Sequence, residues 1–223
     1  MSEKTGVILT ADRLFLVARG AYERLVKANE SFEHTSAGLT AIVFAAVSLE
    51  ALVNEVLELA SIEIAEDEKP DPQLHSFVEA LDEIERSRGS SRLKYLVASC
   101  VLRGKPYDKG SQPYQDYALL MSLRDALVHL RPTRLLEVEG QTRIPVDSVL
   151  KELQSRGLVK SLPANVVASF IDLVATPMVV HWALSAASAM AQSFISMFPE
   201  AFRTYMEEDY APVFRMGGGA TVH

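Results

Sequence analysis

Apolar residues recur at steps of mostly three and four along much of the chain, the period that lines one face of an α-helix. Leu14, Val17, Ala18, Ala21, Leu25, Ala28 and Phe32 form one such stripe over residues 11–32. Leu39, Val43, Ala46, Leu49, Val53, Val56 and Ala60 form a second over 37–64, which ends at the acidic, proline-containing run EDEKPDP. A broken third helix is expected over about 73–87 and 91–103. Its interruption is RGSS, where Gly89 can close one segment and Ser90 or Ser91 can cap the next. Pro113 suits the first turn of a fourth helix through Tyr117, Leu120, Leu123 and Leu127, and Arg131-Pro132 disfavours its continuation.

Beyond that point the pattern weakens. RLLEVEGQTRIP fits a short hairpin around Glu139-Gly140, and DSVLKELQSRG a short helix with an Asp or Ser cap and a glycine stop. These segments form an insertion at about 133–163. A last helical region over about 164–198 is expected to bend near Thr176-Pro177. The expected fold is all-α: one helical bundle over 1–211, followed by a flexible tail over 212–223 that contains the GGG of 217–219. Those glycines follow no strand and precede no lysine, so they make no phosphate loop.

Composition agrees with a globular chain, since 223 residues at 48% hydrophobic content suffice for a sizeable core. The segment LVATPMVVHWALSAASAMA (173–191) lacks Asp, Glu, Lys and Arg and approaches the length of a membrane span. Pro177, His181 and its serines dilute its apolarity, and no basic cluster flanks it, so a buried central helix is the preferred reading. With one cysteine, Cys100, no internal disulfide can form, and the N-terminal residues lack the apolar core of a signal peptide. The chain is expected in the cytoplasm, off the membrane.

The net charge of −7 argues against nonspecific coating of nucleic acid. The charge is unevenly distributed. Residues 50–85 carry twelve acidic side chains against Lys69 alone, whereas 86–109 carry Arg86, Arg88, Arg92, Lys94, Arg103, Lys105 and Lys109 against Asp108. That basic stretch reads either as a solvated helix face and loop or as a phosphate path. The five histidines lie far apart, and HExxH, CxxC, GxSxG, GxGxxG and Walker A motifs are all missing, so neither a metal nor an organic cofactor is expected. His181 beside Trp182 reads as a satisfied core residue rather than a ligand.

SLRDALVHLRP (122–132) concentrates the remaining chemistry. Arg124 and His129 are five apart, so on an ideal helix they diverge by roughly 140° and do not stack on one face. They can still meet one substrate if the helix lines a cleft. A helix C-terminus favours a cation at His129, and Arg124 offers a planar fork matched to phosphate oxygens, with Asp125 placed to orient either group. Such a set fits metal-independent RNA cleavage by ribose 2′-hydroxyl attack; it fits equally a helix end with charges chosen for its dipole.

Residues 122–132 also resemble the R-x4-6-H motif of the HEPN superfamily, in which a polar residue often follows the arginine; Asp125 stands here where Asn is commonest. AIVFAAVSLEALVNEVLE (41–58) is similar to the second HEPN helix, with Glu50 and Asn54 four apart, and 176–199 resembles a HEPN-like closing helix. The resemblance covers about residues 11–199. It implies a dimerising helical bundle in which two arginine-histidine motifs form one ribonuclease site at the dimer cleft, as in toxin and antiviral systems. It equally implies that a noncatalytic module, binding RNA, nucleotide or a protein partner such as an antitoxin, is an alternative.

On this reading Arg124, His129 and Asp125 are the catalytic candidates, and Glu50 and Asn54 support them. Arg92, Lys94, Arg103, Lys105 and Arg131 are the RNA-binding candidates. For Glu50 two outcomes stand: burial against Arg124 or a group across the dimer, or exposure at the edge of its stripe. Asn54 extends such a network or fixes helix packing.

Overall fold

The structure, a computed structural model, describes residues 8–67, 69–130, 136–138, 141–143, 148–160 and 168–215. Helices α1 (Ala11–Lys27), α2 (Ser31–Glu66), α3 (Pro72–Arg86), α4 (Ser91–Arg103) and α5 (Tyr114–Val128) precede a two-stranded hairpin, β1 (Leu136–Val138) and β2 (Gln141–Arg143). Helices α6 (Ser148–Ser155), α7 (Phe170–Val174), α8 (Pro177–Ile195) and α9 (Glu200–Phe214) follow. The fold is all-α, as the apolar periodicity predicts. The chain divides into two compact units, one of residues 1–16, 47–118 and 186–223, the other of 17–46 and 119–185.

In the first unit, α3 starts where Asp71 accepts hydrogen bonds from the N–H groups of Gln73 and Leu74, with Pro72 in the first turn. Its stripe of Leu74, Phe77, Leu81 and Ile84 is buried. The turn into α4 differs from the sequence expectation in one detail. Arg88, at φ 55°, takes the left-handed position that ends α3, and Gly89 donates its N–H to Ile84 O at 2.8 Å. Gly89 is required for space instead: a Cβ there would lie 2.4 Å from Ile84 Cγ2. Ser90 then caps α4 by accepting from the Leu93 N–H at 3.3 Å. Around this hairpin lies an aromatic core, with Tyr95 edge-on to Tyr117 and to Phe194 at 4.9 Å, and Phe77 edge-on to Phe198 at 5.0 Å.

The C-terminal end of this unit corrects the expected tail. Pro212 lies inside α9, and Phe214 is fully buried, its ring stacked on Phe15 at 4.6 Å. The Phe214 carbonyl accepts from the Ser188 hydroxyl and from the Gln192 amide. A proline near the last turn of a helix ordinarily marks a stop, but here the ring stack and these two donors hold the turn beyond it. Residues 216–223, with the GGG, lie outside the described residues.

In the second unit, α1 ends at Lys27 and a new helix begins at Ser31, so the stripe drawn through 11–32 loses its phase. Ala18, Ala21 and Leu25 are buried as expected, whereas Val17 is 43% and Phe32 86% exposed. Gly38 of α2 meets Ala175, where a Cβ on the glycine would approach the Ala175 Cβ to 2.8 Å. The hairpin forms at the expected place, pairing Leu136 with Arg143 and Val138 with Gln141. Helix α6 stops at Gly157, at φ 72°, with the Leu158 N–H on Leu153 O. The expected bend near Thr176-Pro177 is a break: α7, capped by Ser169 and Asp172, ends at Val174, and Pro177 opens α8. Both α2 and α8 are long and apolar enough to cross a membrane, and 56% and 61% of their apolar windows are buried within the structure.

Candidate functional site

Helix α5 grows out of Pro113, whose carbonyl accepts from the Tyr117 N–H at 3.1 Å. Within the second unit its buried side carries Leu120, Leu123 and Leu127, and this leaves Asp125, Val128 and His129 exposed. The helix closes at Val128. His129 continues the backbone ladder by one bond, its N–H on Asp125 O at 3.0 Å, and its imidazole is open to solvent beside exposed Val128 and Leu130. Arg124 turns toward its neighbour, Nη1 lying 2.8 Å from Asp125 Oδ1. The arginine side chain is 20% exposed and the aspartate 51%. Thus Asp125 orients the guanidinium, one of the two roles the sequence leaves open for it. The pairing also offsets charge that a phosphate would meet.

Glu50 and Asn54 belong to the first unit and are engaged by α4. Ser91 donates its hydroxyl to Glu50 Oε1 at 3.3 Å, and Tyr117 donates in turn to Ser91 Oγ at 3.5 Å. Burial pushes the Tyr117 phenol well above its ordinary range, against the opposing effect of the Ser91 hydrogen bond. Asn54 Oδ1 accepts from Lys94 Nζ at 2.6 Å, and the same ammonium pairs with Glu85.

Lys94 therefore does not serve as an RNA-binding cation. Its side chain is 5% exposed and its charge is neutralised inside the α3–α4 hairpin. The other basic candidates separate by environment. Arg92 is half-buried near Tyr114 and Tyr117, Arg103 and Lys105 are exposed, and Arg131 lies outside the described residues. His181 also departs from expectation: it is exposed rather than in the core, its ring 6.0 Å from that of Tyr22. Among the described residues no group of three or more His, Cys, Asp or Glu side chains stands close enough to hold a metal ion.

One residue with strong local chemistry is not singled out by the sequence pattern. Glu55 is 7% exposed, and its Oε1 accepts from the N–H groups of Thr10 and Ala11, at 2.7 and 2.9 Å, and from the Thr10 hydroxyl. Its Oε2 accepts from the Tyr210 hydroxyl at 2.9 Å. A carboxylate from α2 thus caps α1, where the helix dipole favours a negative charge, and ties α9 to the same point. The legible signal is a glutamate set between Val53 and Val56 in an apolar helix, which requires partners if buried. Every oxygen of Glu55 is used in holding helices together, so it reads as a structural clasp.

Compared with known proteins, the chain matches no protein-family model, no curated protein and no solved structure.

Proposed function

We propose that the chain is a HEPN-like, metal-independent endoribonuclease of a toxin or antiviral defence kind, acting as a homodimer. The observation that carries this reading is the end of α5, where an exposed imidazole follows, by little more than one helical turn, a guanidinium held by its neighbouring carboxylate. In the proposed reaction the ribose 2′-hydroxyl attacks the adjacent phosphorus and the bond to the 5′-oxygen breaks. The products are a 2′,3′-cyclic phosphate and a free 5′-hydroxyl. His129 moves the proton, as base toward the 2′-hydroxyl or acid toward the leaving oxygen, and a second copy of the motif across a dimer supplies the complementary role. Arg124 stabilises the charge that grows on the phosphoryl oxygens, with Asp125 fixing its fork.

The test is incubation of purified protein with mixed RNA in excess EDTA, followed by analysis of the new ends. Cyclic-phosphate termini made by the wild type and absent with His129→Ala are expected; equal cleavage by the variant removes His129 from the reaction.

A specific observation favours one other reading, a noncatalytic module. Asp125 already occupies part of the Arg124 fork, which weakens its hold on a phosphate in transit and suits reversible binding of RNA, nucleotide or a protein partner. That reading predicts affinity lowered by Arg124→Ala without turnover by any form of the protein.

A further inference from the structure

The segment joining α4 to α5 is a loop, held by hydrogen bonds and a ring stack, that displays cations. Arg103 ends α4, and Gly104 turns the chain at φ 71°, with open space where a side chain would stand. The Lys105 carbonyl is tied back by the Ser99 hydroxyl at 2.8 Å. Tyr107 is buried, its hydroxyl 3.2 Å from Ser193 Oγ and its ring stacked on Tyr114 at 5.5 Å and 23°. Over that ring also lies the Arg103 guanidinium, 5.9 Å from the centroid. Asp108, the one acid between 103 and 112, accepts from the Gly110 N–H at 2.9 Å, which closes the turn around Lys109.

Arg103, Lys105 and Lys109 are exposed, and among the described residues none of them forms an ion pair with a carboxylate. Lys94, on the same helix as Arg103, shows the contrast, because there the fold supplies both an acid and an amide. In a chain of net charge −7, a loop with three cations outside any ion pair against the single Asp108 is a local reversal of sign. No large apolar side chain is exposed between Leu93 and Val128 among the described residues. A protein partner needs such anchors at the centre of its interface, whereas a polyphosphate backbone needs only spaced cations.

We infer that the Arg103–Lys105–Lys109 loop is a docking site for the backbone of single-stranded RNA, separate in role from the arginine-histidine motif of α5. The choice of RNA rests on the endoribonuclease reading; the polyanion chemistry of the loop stands without it. Preorganisation by Gly104, Ser99 and Tyr107 lowers the ordering cost of binding, and neutralisation of phosphates makes affinity steeply salt-dependent.

The experiment uses a short fluorescent 2′-O-methyl oligonucleotide, which lacks the attacking hydroxyl and so reports binding without cleavage. Anisotropy titrations run from about 50 to 200 mM KCl. Replacing Arg103, Lys105 and Lys109 together by Ala is expected to weaken binding more than about tenfold at the lowest salt. It should also flatten the slope of log K against log salt by about 2, since each phosphate that a cation neutralises on a single strand adds about 0.7 to that slope. The double variant Lys105→Gln with Lys109→Gln keeps the Arg103–Tyr107 stack and guards against a folding defect; it should show an intermediate loss at an unchanged melting temperature.

If both loop variants bind like the wild type, or the wild type does not bind, the inference falls, even where the wild type cleaves RNA and the catalytic reading stands. Loss of binding in the variants upholds the loop even if no RNA is ever cleaved. Equal competition by poly-glutamate of matched charge would overturn the commitment to RNA in favour of an acidic protein.

Discussion

Two polar clusters in this chain interrupt apolar helices and behave oppositely in the structure. Around Glu55, a carboxylate is sealed among Thr10, Ala11 and Tyr210, and each oxygen has donors from other segments. At the end of α5, Arg124 and Asp125 pair as chain neighbours and His129 faces solvent. The first arrangement ties together segments distant in the chain, so its loss is felt as stability. The second makes a local pair beside an open imidazole, so its loss should be felt as chemistry. A buried, fully used carboxylate and a pair of chain neighbours beside an exposed imidazole are thereby distinguishable by what a substitution changes.

The largest effect follows from breaking the clasp. Glu55→Ala removes the acceptor for two backbone donors and a buried phenol, and should cost about 3 kcal/mol. For a chain of this size that loss lowers the melting temperature by roughly 6–12 °C, measurable by circular dichroism. Glu55→Gln retains an acceptor at one position and should lose less. A cost of Glu55→Ala no larger than that of a surface change would show that the clasp is dispensable.

Next is Lys94→Met, which keeps the length of the side chain but leaves Asn54 and Glu85 without their shared ammonium. Glu85 is about half exposed and can turn to water, so the expected cost is nearer about 1–2 kcal/mol. Chemical denaturation with urea would separate this value from that of Glu55→Ala.

Alkali tests the same interior from another side. Burial raises the Tyr95 phenol, and burial together with the Glu55 carboxylate raises that of Tyr210. Folded values above the ordinary phenol mean that the native state keeps protons the unfolded chain releases. This contribution is complete below pH 10 and is lost as pH climbs from there through the folded values. Ultraviolet titration should show a tyrosine fraction that ionises only together with alkaline unfolding; ionisation of all seven tyrosines in one step near the ordinary value, with the fold retained, would contradict the burial argument.

The smallest stability effect belongs to the α5 motif. His129→Ala should change stability by no more than about 0.5 kcal/mol, the range of an exposed position away from caps and cores.

The contrast also marks what is legible in the sequence. Helical periodicity is enough to place α2, α3, α4 and α5, and turn chemistry locates the hairpin and the glycine stop after α6, because these depend on local rules. Phe32 and α9 depart from the sequence pattern for reasons that are not local. The stripe through α1 loses phase at a two-helix junction, and Phe214 is held past Pro212 by residues some twenty positions away. At the candidate site, Arg124, Asp125 and His129 are legible from type and spacing. The fate of Lys94 is not, since only the folded α3–α4 hairpin brings Glu85 and α2's Asn54 to its ammonium. Nor is the difference between Glu50 and Glu55, five residues apart on one apolar helix, until their partners from other segments are in place.

The most direct test of the central claim pairs two readouts on the same preparations of wild type, Glu55→Ala and His129→Ala. These are thermal unfolding, and release of cyclic-phosphate-ended RNA fragments in EDTA below the lowest melting temperature. Glu55→Ala is expected to melt several degrees lower while still cleaving when folded, and His129→Ala to melt with the wild type and cleave nothing. A His129→Ala protein that cleaves at the wild-type rate, or one that loses cleavage only because it unfolds, would contradict the division between clasp and motif.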